Sequence, residues 1–146
     1  MLEGAFQHED FAGHKGRINA GDLQWMCAGK GIIHSEQPAN NDMNRGLQLW
    51  VNLPGKDKMK DPSYQELLSK EIPVAEPKEG VKVKVISGGN IQGGVFGVDA
   101  KVRTHTPILF LDVTMKEPTV LEIVRFVFFV FFGLLCKESL KRRENC

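Results

Sequence analysis

His34 and Glu36 are two residues apart, and in an extended strand side chains at i and i+2 leave the same face. An imidazole and a carboxylate on one face are the donors of a mixed nitrogen and oxygen metal site, and two histidines with one carboxylate are a common frame for Fe(II). The pair alone is too few ligands for a tight site. On spacing alone, the plainer alternative is a half-buried histidine hydrogen-bonded to a neighbour, with Glu36 in solvent. His8 and His14, in HEDFAGH, share parity, but six strand residues separate them by about 20 Å unless the chain turns. Gly13 and Gly16 allow such a turn, yet a solvated or hydrogen-bonded role is expected for both histidines. His105, between Thr104 and Thr106, reads as an ordinary strand or loop residue. Trp25 and Trp50 read as core. Cys27 lies among apolar neighbours with no base nearby in sequence, which argues against a nucleophile. AGKG, residues 28–31, lacks the spacing and following helix of a phosphate loop and reads as a turn.

These side chains must be carried by strands. Short apolar runs alternate with Gly, Asn, Asp and Pro at sandwich-like intervals, and four strands are expected at residues 2–11, 22–26, 31–37 and 46–53. Turns are expected at 13–16, 19–21 and 38–44. The charged segment 56–70 suits a loop followed by a short helix or an irregular strand. VKVKVIS, residues 81–87, alternates strictly and predicts a half-buried strand, and PILFLDVTM, residues 107–115, predicts another from its β-branched and aromatic content.

The 146 residues fit one ordinary domain, and 42% apolar content suffices for a core. Nineteen Lys and Arg against eighteen Asp and Glu give a net charge of +1, so no field would draw the chain to nucleic acid, and no direct nucleic-acid binding is expected. Three cysteines without a CxxC pair point to a reducing intracellular compartment. After Lys116 the composition shifts: residues 120–136 are almost wholly apolar, interrupted by Glu122 and Arg125, and a basic KESLKRR follows. The longest uncharged run, 126–136, falls short of the roughly 20 residues that span a bilayer as a helix. A buried or aggregation-prone element is the first reading of this tail, and membrane association the alternative.

Residues 8–38, HEDFAGHKGRINAGDLQWMCAGKGIIHSEQP, and 46–67, GLQLWVNLPGKDKMKDPSYQEL, resemble the pirin family closely. The likeness continues through EIP at 71–73, VKVISG at 83–88 and RTHTPILFLD at 103–112, so it runs from Leu2 to about Lys116. Pirins are two-domain cupins. The resemblance therefore implies an all-β cupin (a jelly-roll sandwich or barrel), with residues 1–116 as an incomplete N-terminal cupin domain and 117–146 as a divergent hydrophobic and then basic tail, possibly helical. It implies that residues 21–36 form the second cupin motif, with His34 and Glu36 as two ligands to Fe(II), which displaces the plainer reading of that pair. The family's other two ligands are histidines of an HPHRGFETV-like segment that would precede Leu2. The resemblance thus leads to the expectation of a chain truncated at both ends and impaired in activity. It further implies two family roles, quercetin 2,3-dioxygenase-type oxidation of flavonols and iron-dependent transcriptional co-regulation, with a transcription-related protein partner in nucleus and cytoplasm. The alternatives are a metal-independent protein-interaction module and a remnant associated with membranes through residues 120–136.

Overall fold

A computed structural model describes residues 1–88 and 91–123. The chain divides into two compact units, Met1–Glu71 and Ile72–Cys146. All regular elements among the described residues are strands, apart from single 3-10 turns at Gly55–Asp57 and Ser69–Glu71.

In the first unit, β1 (Ala5–Asp10) is the centre of a three-stranded antiparallel sheet, flanked by β2 (Lys15–Asn19) and β4 (His34–Pro38). β3 (Leu23–Cys27) pairs with β5 (Ser63–Leu67) in a separate antiparallel ladder. The β1–β2 hairpin follows from local chemistry. Asp10 Oδ1 accepts from the backbone N–H groups of Ala12 at 2.8 Å and His14 at 3.0 Å, and Gly13 takes φ +87° at the loop's end. This is a four-residue connection that needs a left-handed residue, for which glycine has no steric penalty.

The strands expected at 2–11, 22–26 and 31–37 are present with slightly shifted ends. β2 is not among the expected strands, its ends overlapping the turns expected at 13–16 and 19–21; KGRIN has too few apolar residues to signal a strand, and its ladder with β1 supplies what its side chains do not. The strand expected at 46–53 is not formed: residues 46–53 carry no ladder, and Arg45, just before them, makes an isolated bridge to Glu3. Trp50 in that segment is 73% exposed rather than core, whereas Trp25 on β3 is half-buried. In segment 56–70 the strand alternative is realised, as β5.

The second unit has the strand order β6 (Val74–Lys78), β7 (Val81–Gly88), β8 (Leu109–Met115). β7 has the two-residue period that VKVKVIS predicts: Val81, Val83 and Val85 are buried with Val113 and Leu111 of β8, while Lys82 is exposed. Each fully buried valine contributes roughly 1.5–3 kcal/mol by leaving water. The β6–β7 register shifts between Ala75 and Lys78, the stretch that contains Pro77, whose missing N–H cannot serve a ladder. The apolar and basic tail expected from residue 120 onward lies outside the described residues from 124. Among the described residues no helix is long and apolar enough to cross a membrane.

Candidate metal centre

Side-chain parity and strand register determine which residues meet. Directly opposed residues of an antiparallel pair share a face, and β1 sets His8 opposite Gly16 on β2 and Glu36 on β4, with Asp10 opposite His34. His8, Asp10, Gly16, His34 and Glu36 therefore belong to one face of this sheet. Its other face carries Gln7, Glu9, Lys15 and Arg17, with a Lys15–Glu9 ion pair at 2.8 Å in solvent. In the second ladder Gln24 is opposite Glu66, and Met26 is opposite Tyr64, which puts Gln24, Tyr64 and Glu66 on one face.

His34 and Glu36 thus leave the same face of the edge strand β4, as their spacing predicts. His34 is half-buried; Glu36 is exposed, and its Oε2 accepts a hydrogen bond from the Gln48 amide at 3.3 Å. Among the described residues no third histidine, cysteine or carboxylate joins them at ligand distance. As donors they fit a ferrous centre, but only as part of a larger ligand set.

His8 and His14, for which a solvated or hydrogen-bonded role is expected, are brought together by the hairpin. Their rings stack with centroids 5.3 Å apart, and Tyr64 stacks on His14 at 4.2 Å. Glu66 on β5 completes the group: its Oε1 lies 2.8 Å from His8 Nε2 and 3.9 Å from His14 Nε2. Gln24 donates to the same carboxylate oxygen at 3.1 Å, and its amide nitrogen lies 3.0 Å from both ring nitrogens of His8. Gly16 makes room for the His8 ring, because a Cβ at that position would overlap its Nε2. His8 is only 5% exposed; His14 is half-buried, and its Nδ1 is buried without a hydrogen-bond partner.

The Tyr64 hydroxyl donates to Asp10 Oδ2 at 2.7 Å. That bond, with those from the backbone N–H groups of His14 and Ala12, holds the Asp10 carboxyl below its ordinary range. Burial first, and then the bond to Asp10 and the charges of Asp10 and Glu66, push the Tyr64 phenol up to about 12. The parity of His8 and His14 was visible in the sequence, and so was the glycine turn between them. Glu66 was not, since a residue far along the chain enters only through the β3–β5 ladder. His105 is an exposed loop residue, as its setting suggested. Cys27 is a buried free thiol, and Gly29–Lys30 of AGKG form a turn.

A family model described as Pirin matches residues 1–51, which include β1 to β4 with His8, His14, His34 and Glu36. A pirin-like protein of Solanum lycopersicum is 54% identical over 116 residues, covering 80% of this chain and 38% of the relative. Homo sapiens pirin is 53% identical over 113 residues, covering 77% of this chain and 37% of its own. The chain belongs to the pirin family. Solved structures share the fold: GK1651 from Geobacillus kaustophilus superimposes with a TM-score of 0.71 at 36% identity, over 81% of this chain and 45% of that one. A quercetin 2,3-dioxygenase from Acinetobacter baumannii gives 0.65 at 30% identity, over 77% and 39%. The fold is all-β and of the cupin type, and the chain spans well under half the length of the pirins it matches.

Proposed function

We propose that this chain is a pirin-type iron-binding cupin in which His34 and Glu36 are two of the ligands to Fe(II). The observation that carries this reading is their placement: one imidazole and one carboxylate on the same face of β4, beside the histidine-bearing strand β1. When bound, the metal supplies Lewis-acid polarisation of a substrate oxygen. His34 contributes the neutral nitrogen donor. Glu36 contributes charge compensation, held in orientation by Gln48. The substrate class is a flavonol, supported by the likeness to a quercetin 2,3-dioxygenase. With two donors only, the His34–Glu36 pair holds iron weakly, and the pair by itself supports little or no flavonol-dependent oxygen uptake. The site of action is nucleus and cytoplasm, by family likeness.

The test is anaerobic Fe(II) titration of the chain beside a His34→Ala/Glu36→Gln double variant, with quercetin-dependent oxygen uptake measured in parallel. A weak binding event that disappears in the double variant supports the assignment. An unchanged isotherm rules out the ligands, and oxygen uptake matching a full-length pirin rules out the impairment.

A second reading is favoured by a separate observation. Ile33, Met43, Leu47 and Trp50 are large apolar side chains, all more than half exposed. Together with the near-neutral charge they suit a metal-independent surface for a transcription-related protein partner rather than for nucleic acid. Partner binding that survives chelation but is lost in Trp50→Ala would support it, and loss on chelation would return the role to the metal.

A further inference from the structure

We propose that His8, His14 and Glu66 form a second binding site for a first-row divalent cation, built from donors that the His34–Glu36 centre does not use. One nitrogen from each ring and one carboxylate oxygen all lie within 4.8 Å of one another. Four-coordinate zinc, with bonds of about 2.0–2.2 Å to nitrogen and oxygen, places its ligand atoms about 3.4 Å apart. The separations of 2.8 Å and 3.9 Å from Glu66 Oε1 straddle that value, so side-chain rotations suffice to close the set. Two imidazoles and one carboxylate are also the donor set of catalytic zinc and of facial-triad iron sites, in which further positions stay open to water or substrate.

Three features go beyond mere proximity. The unpartnered buried nitrogen of His14 belongs to this cluster, and an unsatisfied buried polar atom of this kind calls for an explanation. An ion bound through either nitrogen fixes the ring's tautomer and orientation and so bears on that orphan. The surroundings also resemble the supporting shell of a metal site: Gln24 contacts both His8 and Glu66, Tyr64 stacks on His14, and Asp10 anchors both Tyr64 and the hairpin that delivers His14. Finally, the site is accessible, because the side chains of His14 and Glu66 are 39% and 40% exposed while His8 forms a buried floor.

The proposal does not depend on the His34–Glu36 reading, and the test separates the two. Zn(II), and Co(II) as a spectroscopic probe, are titrated into the full chain, the His14→Ala and Glu66→Gln variants, and the His34→Ala/Glu36→Gln double variant. Far-ultraviolet circular dichroism confirms that each is folded. Expected is one tight equivalent in the wild-type chain, with the visible Co(II) bands of a nitrogen and oxygen site. It should persist in the double variant and weaken at least about tenfold in both His14→Ala and Glu66→Gln. Both substitutions fall on partly exposed side chains, so loss of fold in one leaves the other as the test. No tight equivalent in the wild type, or one that is lost in the double variant and kept in His14→Ala and Glu66→Gln, overturns the proposal.

Discussion

The two units use their interiors in opposite ways. The unit that starts at Ile72 buries valines: Val81, Val83, Val85 and Val113 are nearly inaccessible, and its regular strands among the described residues are β6, β7 and β8. The unit Met1–Glu71 buries His8, Asp22 and Asp57 while leaving Ile33, Leu47 and Trp50 in solvent. Burying a polar group costs free energy unless it finds partners, and here backbone N–H groups and polar side chains supply them. Asp22, for example, accepts from the backbone N–H groups of Asn19 and Ser69. A region that keeps titratable side chains inside at that cost has an interior suited to chemistry, whereas the valine-lined unit is suited to holding its shape.

The sharpest way to break this comparison is a charge in the apolar interior. Val83 is 0% exposed, and Val83→Asp is expected to cost more than about 4 kcal/mol, enough to abolish the cooperative urea transition of that unit. A native-like transition would mean that the valine core does not carry that unit's stability. Next in size is Gly16→Ala, whose methyl group meets the His8 ring; the expected loss is about 1–3 kcal/mol by thermal unfolding, together with displacement of the His8 imidazole resonances. Unmoved resonances would show that the cluster does not require this glycine.

Tyr64→Phe removes one hydrogen bond and is expected to cost about 1 kcal/mol. Its pH signature is specific. A phenol raised in the folded state to about 12, from an ordinary 10, stabilises fully below pH 10 and loses that contribution as pH climbs from 10 to 12. Asp10, lowered in the folded state, behaves oppositely: its contribution is present above the ordinary carboxyl range and lost as pH falls below it. Ultraviolet titration of the phenolate should therefore give a raised midpoint that Asp10→Asn brings back toward 10. The smallest effect is expected for Trp50→Ala, within about 0.5 kcal/mol despite the size of the side chain, because it is already in solvent.

The same contrast explains what the sequence made legible. VKVKVIS was readable because burial on one face of a strand imposes a period of two on its side chains, and nothing competes with that pattern. LQLWV at 47–51 carries a comparable apolar signal yet forms no ladder, because a strand is defined by its partner rather than by its own composition. KGRIN shows the reverse, since pairing with β1 makes a strand of residues with little intrinsic preference for one. For the candidate sites, His34 and Glu36 lie two residues apart, so one strand's parity relates them, and the family likeness gives that parity a chemical meaning. The second cluster depends on a hairpin and a distant ladder. Its histidines could be seen, but not their meeting, and Glu66 carried no local signal at all.

On the two proposals above, the first unit holds two donor sets of unequal strength, three residues against two. The most direct measurement is the imidazole nitrogen NMR spectrum of the whole chain during Zn(II) titration. The account predicts that the ligating nitrogens of His8 and His14 shift together over the first equivalent, while His34 responds only at higher zinc. Movement of His34 ahead of both, or a first equivalent that leaves His8 and His14 unchanged, would contradict it.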